Sequence, residues 1–505
     1  MRIESAIRNA KSTLLVYGIN MLLQFCIRLT FLYYLTIEYV GLNGLFDNIL
    51  SVLSLTELGI GPAIVCTLYG PLARNDIKAV QSIMKVFKRA YIIIGVLIIA
   101  IGFSISPWLY NFIKSPPNIP DLTWFYLFFV IDTGISYFYS YNRNLLIADQ
   151  KQYIINNVRG LVQVVGGILQ VVSLVLFQSF WSYILIRIGM TLTENIIVTR
   201  RTQRIYPYIT ESGIEPLAPE IKGQIMGNVK ALVLHKIGGI AVFSSANIIL
   251  SKFVGLTAVG FFSNYYLLIN AVMRLSDQVF NSLKASVGNL NALADNERKL
   301  DVFHQLFFIT GTLAYIISLN MYFFINPFIE LWLGKEYLLS NTIVLLMATN
   351  FYLTYMRKSS LVFIDSMGLF IHNKFMPICE ATLIISSGIF LVQRYEIIGI
   401  LLAMILTTLC MPFIVEPYIL FKHGLRGSIV TYYVTYLKFV ILLVAVGSLL
   451  QYGLMQIDIN NNVLTFAIRL IIINIIAIGI WCAVWWRNTY FTSFREKIMK
   501  KLFKL

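Results

Sequence analysis

Thr56-Glu57-Leu58-Gly59-Ile60-Gly61-Pro62-Ala63, continued as Pro71-Leu72-Ala73-Arg74-Asn75-Asp76, places a carboxylate, two glycines and a proline inside an otherwise apolar segment. In a hydrocarbon solvent such polarity is expensive unless it faces a cavity or a partner helix. The stretch also belongs to a repeat. Shifted by 219 residues, Tyr39-Val40-Gly41 falls on Ala258-Val259-Gly260, Ala73 on Ala292 and Asp76 on Asp295, with no gap between them.

The solvent is set by composition. Hydrophobic residues make up 58% of the 505 and charged residues 13%, against about a quarter charged in an ordinary globular domain. So much apolar surface implies an integral membrane protein. Tyr91 to Ile105, Val158 to Phe177 and Val463 to Trp486 approach or reach the roughly 20 residues needed to cross the hydrocarbon. The first apolar run, from about Thr13, is followed by no small-residue cleavage site and reads as a retained first helix. Cys26, Cys66, Cys379, Cys410 and Cys482 lie within apolar runs without metal-ligand spacing, and are expected to be packing residues.

Hydropathy places about fourteen spans at 11–36, 44–70, 84–113, 121–147, 153–177, 181–203, 224–252, 259–285, 302–326, 341–364, 372–392, 396–421, 430–452 and 463–486. The expected fold class is therefore all-α, with two parallel-repeat six-helix lobes plus two C-terminal helices. The expected organisation is an N-lobe over 1–204, a linker over 205–223 holding Pro207, Pro216 and Pro219, a C-lobe over 224–423, spans 13 and 14 over 424–487, and a basic amphipathic tail over 488–505. Six spans per repeat, an even number, predict lobes related by an axis along the membrane normal. Basic residues cluster on one side of this map, as at Arg74, Lys78, Lys85, Lys88, Arg89, Arg200, Arg201 and Arg204. The positive-inside rule then puts both termini in the cytoplasm. Most of the +16 net charge is accounted for as topology, without nucleic acid.

Ionisable residues inside the spans cost about 2.5–3.5 kcal/mol each at a helix centre, so they are expected to face the bundle interior or water. Arg28, Glu57, His235, Lys236, Arg274 and Asp277, on the first two helices of each lobe, stand out, with Asp132 and Arg357 further along. Read structurally, they are buried pairs such as Arg28 with Glu57, or Arg274 with Asp277 at i, i+3. Read functionally, they line a polar cavity whose cations Arg28, Lys236, Arg274 and Arg357 receive an anion. Glu57, Asp132, Asp277 and His235 would be its acidic or coupling groups. Gly59, Gly61 and Pro62 are candidate bending points. Four histidines without HExxH, GxSxG or a P-loop give no enzyme signal, no cofactor and no metal site.

Thr56-Glu57-Leu58-Gly59-Ile60-Gly61 with Leu68-Tyr69-Gly70-Pro71-Leu72-Ala73, and Arg274-Leu275-Ser276-Asp277-Gln278-Val279-Phe280-Asn281 with Ala285-Ser286-Val287-Gly288-Asn289, resemble bacterial O-antigen and capsule repeat-unit flippases of the Wzx type. These belong to the multidrug/oligosaccharidyl-lipid/polysaccharide (MOP) exporter superfamily. The resemblance covers spans one to twelve. It implies a MATE-like fold in the bacterial inner membrane, moving undecaprenyl-diphosphate-linked oligosaccharide to the outer leaflet. Membrane lipids, a polysaccharide polymerase and chain-length machinery are the partners it implies, and one chain already supplies both lobes, so a monomer suffices. Tyr33, Tyr265 and Tyr266 would stack on sugars. In the related lipid II flippases a pair of helices equivalent to spans 13 and 14 helps form a groove for the lipid tail. A drug or metabolite cation exporter of the same superfamily, using Glu57, Asp132 and Asp277, is the competing reading. A polytopic polysaccharide polymerase is another, though it should carry a large outward loop or a soluble domain.

Overall fold

A computed structural model describes residues 2–57, 60–117, 119–211, 223, 244–373, 375–454 and 463–492. Gly59, His235, Lys236, most of the expected linker (212–222), most of the expected seventh span (224–243) and the end of the expected tail (493–505) lie outside the described residues. Every regular element among those described is helical. The chain divides into two compact units, Met1–Ser263 and Asn264–Leu505.

The first unit is built from α1 (Arg2–Tyr34), α2 (Ile37–Leu53), α3 (Ile60–Ala73), α4 (Ile77–Ile105), α5 (Leu122–Ala148), α6 (Gln152–Phe177) and α7 (Phe180–Ile205), with helical residues 244–253 forming α8. Asp76 caps α4 by accepting from the Ala79 N–H at 3.0 Å, a side-chain answer to an orphan donor of the first turn. Helices α4 and α5 cross where neither has a side chain. A Cβ on Gly95 would lie 3.0 Å from the Gly134 carbonyl oxygen, and one on Gly134 would lie 2.4 Å from Ile99. Small residues permit such backbone approach, which lipid-embedded helices use in place of a hydrophobic drive. Beyond α7, the buried Tyr206 hydroxyl donates to Asp149, and Lys151 pairs with the same carboxylate at 2.7 Å. Burial first, and then that hydrogen bond, hold the Tyr206 phenol well above its ordinary pKa.

The 219-residue repeat has a physical counterpart in this unit. A Cβ on Gly41 would lie 2.1 Å from the Leu256 carbonyl oxygen, and one on Gly260 would lie 2.6 Å from that of Ile37. Thr257 Oγ1 donates to Glu38 at 3.0 Å. Residues 37, 38 and 41 are the repeat equivalents of 256, 257 and 260, so each partner in this contact is matched to its own image. That reciprocity is the mark of a local two-fold contact. Glycine is required at both positions because a carbonyl occupies the space of a side chain.

The second unit continues α9 (Leu256–Leu293) and adds α10 (Asn296–Trp332), α11 (Asn341–Met356), α12 (Lys358–Ser366), α13 (Met376–Cys410), α14 (Pro412–Ile419), α15 (Ile429–Leu454) and α16 (Val463–Trp485). Helix α13 is two helices folded at Glu396, whose φ of 50° breaks the ladder; hydropathy places its boundary between spans there. The last two helices are held against α10. Phe439 lies over Gly311, Asn320 and Asn474 exchange amide hydrogen bonds of 2.9 Å, Tyr315 donates to the Ala477 carbonyl at 3.1 Å, and Tyr322 to Gln451 at 2.8 Å.

Seven helical stretches among the described residues are long and apolar enough to cross a membrane by composition alone, including Ile77–Phe112 and Met376–Leu425. Helices α5 and α7 are of similar length but more polar, and they carry the charged clusters described next. The cysteines are free as expected, but four of them, Cys26, Cys66, Cys379 and Cys410, are exposed rather than packed in the core. An apolar face turned to lipid accepts a thiol as readily as a core does.

Candidate functional site

The opening stretch forms a broken helix. Ser54 donates to the Ser51 carbonyl at 2.6 Å and Thr56 to that of Leu53 at 2.9 Å, so side chains compete for the carbonyls at the end of α2. A 3₁₀ turn, Ser54–Glu57, follows, and α3 begins at Ile60. The turn delivers Glu57 to the hydroxyls of Tyr91, 2.8 Å from Oε1, and Tyr137, 3.5 Å from Oε2. Asn144 donates to Tyr91 at 3.1 Å. A Cβ on Gly61 would lie 2.8 Å from Glu57 Oε1 and 3.0 Å from the Tyr91 hydroxyl. Gly61 is thus the space in which the carboxylate sits.

A second cluster is centred on Arg187 of α7. Its Nη2 meets Asp47 Oδ1 at 2.8 Å, its Nε meets Asp132 Oδ2 at 3.3 Å, and its Nη1 donates to Asn43 Oδ1 at 3.3 Å. The guanidinium also lies 4.2 Å from the Phe129 ring centroid. Arg28 stands within electrostatic reach of Asp47 and Tyr183. Two aspartates and two arginines balance to zero charge, which is how buried ions are tolerated in a low dielectric.

A third cluster joins α5, α6 and α7: Glu194 Oε1 receives Arg143 Nη2 at 3.0 Å and Arg159 Nε at 3.1 Å, while Arg143 also donates to Asn195 at 2.7 Å. Its counterpart in the second unit centres on Arg357, whose Nη2 and Nε take both oxygens of Glu416 at 2.6 and 3.1 Å, with Glu380 at 3.7 Å. Next to it, the buried Lys358 pairs with Asp277. Lys284 pairs with Asp365 at 2.7 Å.

The residues singled out in the sequence are thus dispersed. Glu57 has tyrosines as described partners, and Arg28 lies near Asp47; the pairing of Arg28 with Glu57 is replaced by these two settings. Asp277 bonds Lys358 and not Arg274, because the buried lysine needs a counter-charge that water supplies to an exposed arginine. Arg274 is exposed. Asp132 serves Arg187. Arg357 is held by two glutamates, Gly61 adjoins Glu57, and Pro62 lies in the first turn of α3, where its missing N–H costs nothing. Tyr265 is fully buried, bonds Asn326 and accepts from the Leu339 N–H at 2.8 Å, so it is a structural residue and not a sugar platform. Arg187 and Asp47, present in the sequence as intramembrane charges, gain their prominence only from the pairing.

A wide groove of about 680 Å³ runs between α15 and α16. Ile441, Leu442 and Leu449 line one wall and Ile480 and Val484 the other, and Lys438 is the one charged residue among its lining.

No protein-family model and no curated protein matches the sequence. Solved structures match over most of the chain. Lipid II flippase MurJ in an inward closed conformation aligns with a TM-score of 0.62 at 13% identity, covering 96% of this chain and 99% of that one. The fold is that of the MOP superfamily. An inward-facing multidrug resistance MATE transporter of that superfamily gives 0.61 at 13% identity, covering 80% of this chain and 96% of its own. A MOP superfamily transporter from Pyrococcus furiosus gives 0.55 at 11%, covering 84% and 96%. At these identities what is shared is the fold itself, all-helical and multi-span.

Proposed function

We propose that this chain is a flippase that carries polyprenyl-diphosphate-linked oligosaccharide repeat units from the cytoplasmic to the outer leaflet of a bacterial inner membrane. The observation that carries this reading is the groove between α15 and α16. The match to the lipid II flippase leaves 4% of the chain uncovered, too little of 505 residues to omit either α15 (26 residues) or α16 (23 residues). An apolar groove with one ammonium suits a long hydrocarbon tail joined to a phosphate. The headgroup needs protection, since each unpaired polar group costs several kcal/mol in hydrocarbon. On the sequence pattern we assign the headgroup's cations to Arg28, Lys236 and Arg274, while Arg357, held by Glu416 and Glu380, belongs to the framework. With the cell interior negative, each unit of negative charge moved outward gains about 2.3 kcal/mol per 100 mV.

The cation-exporter reading is weakened by Arg187, which compensates Asp47 and Asp132. Reconstitution tests the proposal. Proteoliposomes holding the full-length protein and a short-chain polyprenyl-diphosphate disaccharide should expose the sugar to external periodate. Ala445→Trp, which fills the groove, should slow that exposure at least about tenfold, roughly 1.4 kcal/mol. Exposure no faster than in protein-free vesicles would overturn the reading.

A further inference from the structure

The two arginine–glutamate sets in the two units are versions of one arrangement with the third charge inverted. Arg143 on the fourth span pairs with Glu194 on the sixth, and Arg357 on the tenth pairs with Glu416 on the twelfth. The third member comes from the intervening span in both cases. It is Arg159 in the first unit and Glu380 in the second. Glu194 therefore serves two arginines, a sum of +1, whereas Arg357 serves two glutamates, a sum of −1.

The surplus charges are not housed alike. The Arg159 side chain is 43% exposed and can be solvated where it stands. Glu380 is 8% exposed and has, among the described residues, one ionic partner, Arg357, at 3.7 Å, beyond hydrogen-bond reach. Arg357 has already given its two well-aligned donors to Glu416. The other titratable groups around the set are the phenols of Tyr432 and Tyr436 on α15 and of Tyr352 on α11, none of which adds a positive charge. A second carboxylate that largely buried has no hydrogen-bond donor among the described residues, and two like charges sharing one counter-ion resolve by one taking a proton.

From this the geometry points to Glu380 as an exchangeable proton-binding site, the acid member of an Arg357–Glu416–Glu380 set in the second unit. As a binding site it stands whatever the cargo is. As the point where a proton gradient drives the cycle, it rests on the transport reading above. A proton lost from Glu380 leaves the set at −1 and favours drawing Arg357 away from Glu416, which would change how the tenth, eleventh and twelfth spans are tied together.

The test is infrared difference titration of the full-length protein in nanodiscs, following the protonated-carboxyl stretch with pH and needing no substrate. The wild type should show a carboxyl that loses its proton as pH rises, and Glu380→Gln should show one fewer per chain. Unchanged titration in a folded Glu380→Gln protein would overturn the assignment. Should that variant fail to fold, Glu416→Gln decides: with the competing carboxylate gone Glu380 has Arg357 to itself, so loss of the titrating carboxyl supports the site and its persistence refutes it.

Discussion

Arg187 touches Asp47, Asp132 and Asn43, so its removal strands an aspartate only 6% exposed. Arg187→Leu is expected to destabilise the protein by about 3–5 kcal/mol, and Asp132→Asn in the same chain to recover much of that, as read by thermal unfolding in detergent. Gly61→Ala should act differently. It puts a methyl group 2.8 Å from the Glu57 carboxylate, so transport should fall while membrane level holds, as measured by blotting beside the transport assay. The sequence made Glu57 and Gly61 legible because a carboxylate and glycines in an apolar run are anomalous by themselves. Their partners were not legible. Tyr91 and Tyr137 are ordinary tyrosines 34 and 80 residues away, and Arg187 reaches Asp47 across 140, distances over which local sequence holds no pairing signal.

Among the described elements, the helices follow the hydropathy closely, because a span must satisfy its own backbone in lipid and only helices do so. The break at Glu396 and the interruption after Leu53 both fall where polar residues or turn formers interrupt apolar runs. What hydropathy does not convey is attachment. Helices α15 and α16 read as a plain extension, yet aromatic and amide contacts fasten them to α10. Phe439→Ala, which empties the space over Gly311, should cost about 3–5 kcal/mol. Asn474→Leu, which leaves the Asn320 amide short of a partner, should cost about 1–2 kcal/mol. Both should loosen α15 and α16, measured as earlier cleavage of the 455–462 connection by added protease.

For the whole molecule, the repeat was readable as a 219-residue offset, and the reciprocal contact of Gly41 with Leu256 and Gly260 with Ile37 gives that offset a physical cause. The distribution of Lys and Arg leads to a further expectation, that a reporter fused after Leu505 reports from the cytoplasm. Cargo is a property of the whole machine, and no single residue encodes it. The measurement that bears on it most directly is depletion of this protein in its native cell, followed by quantification of polyprenyl-diphosphate-linked oligosaccharides in each leaflet. The flippase account predicts that complete repeat units accumulate on the inner leaflet, and that Arg28→Gln, Lys236→Gln and Arg274→Gln variants reach the membrane without relieving the accumulation. Unchanged lipid-linked sugars, with cells newly sensitive to cationic toxicants, would contradict it.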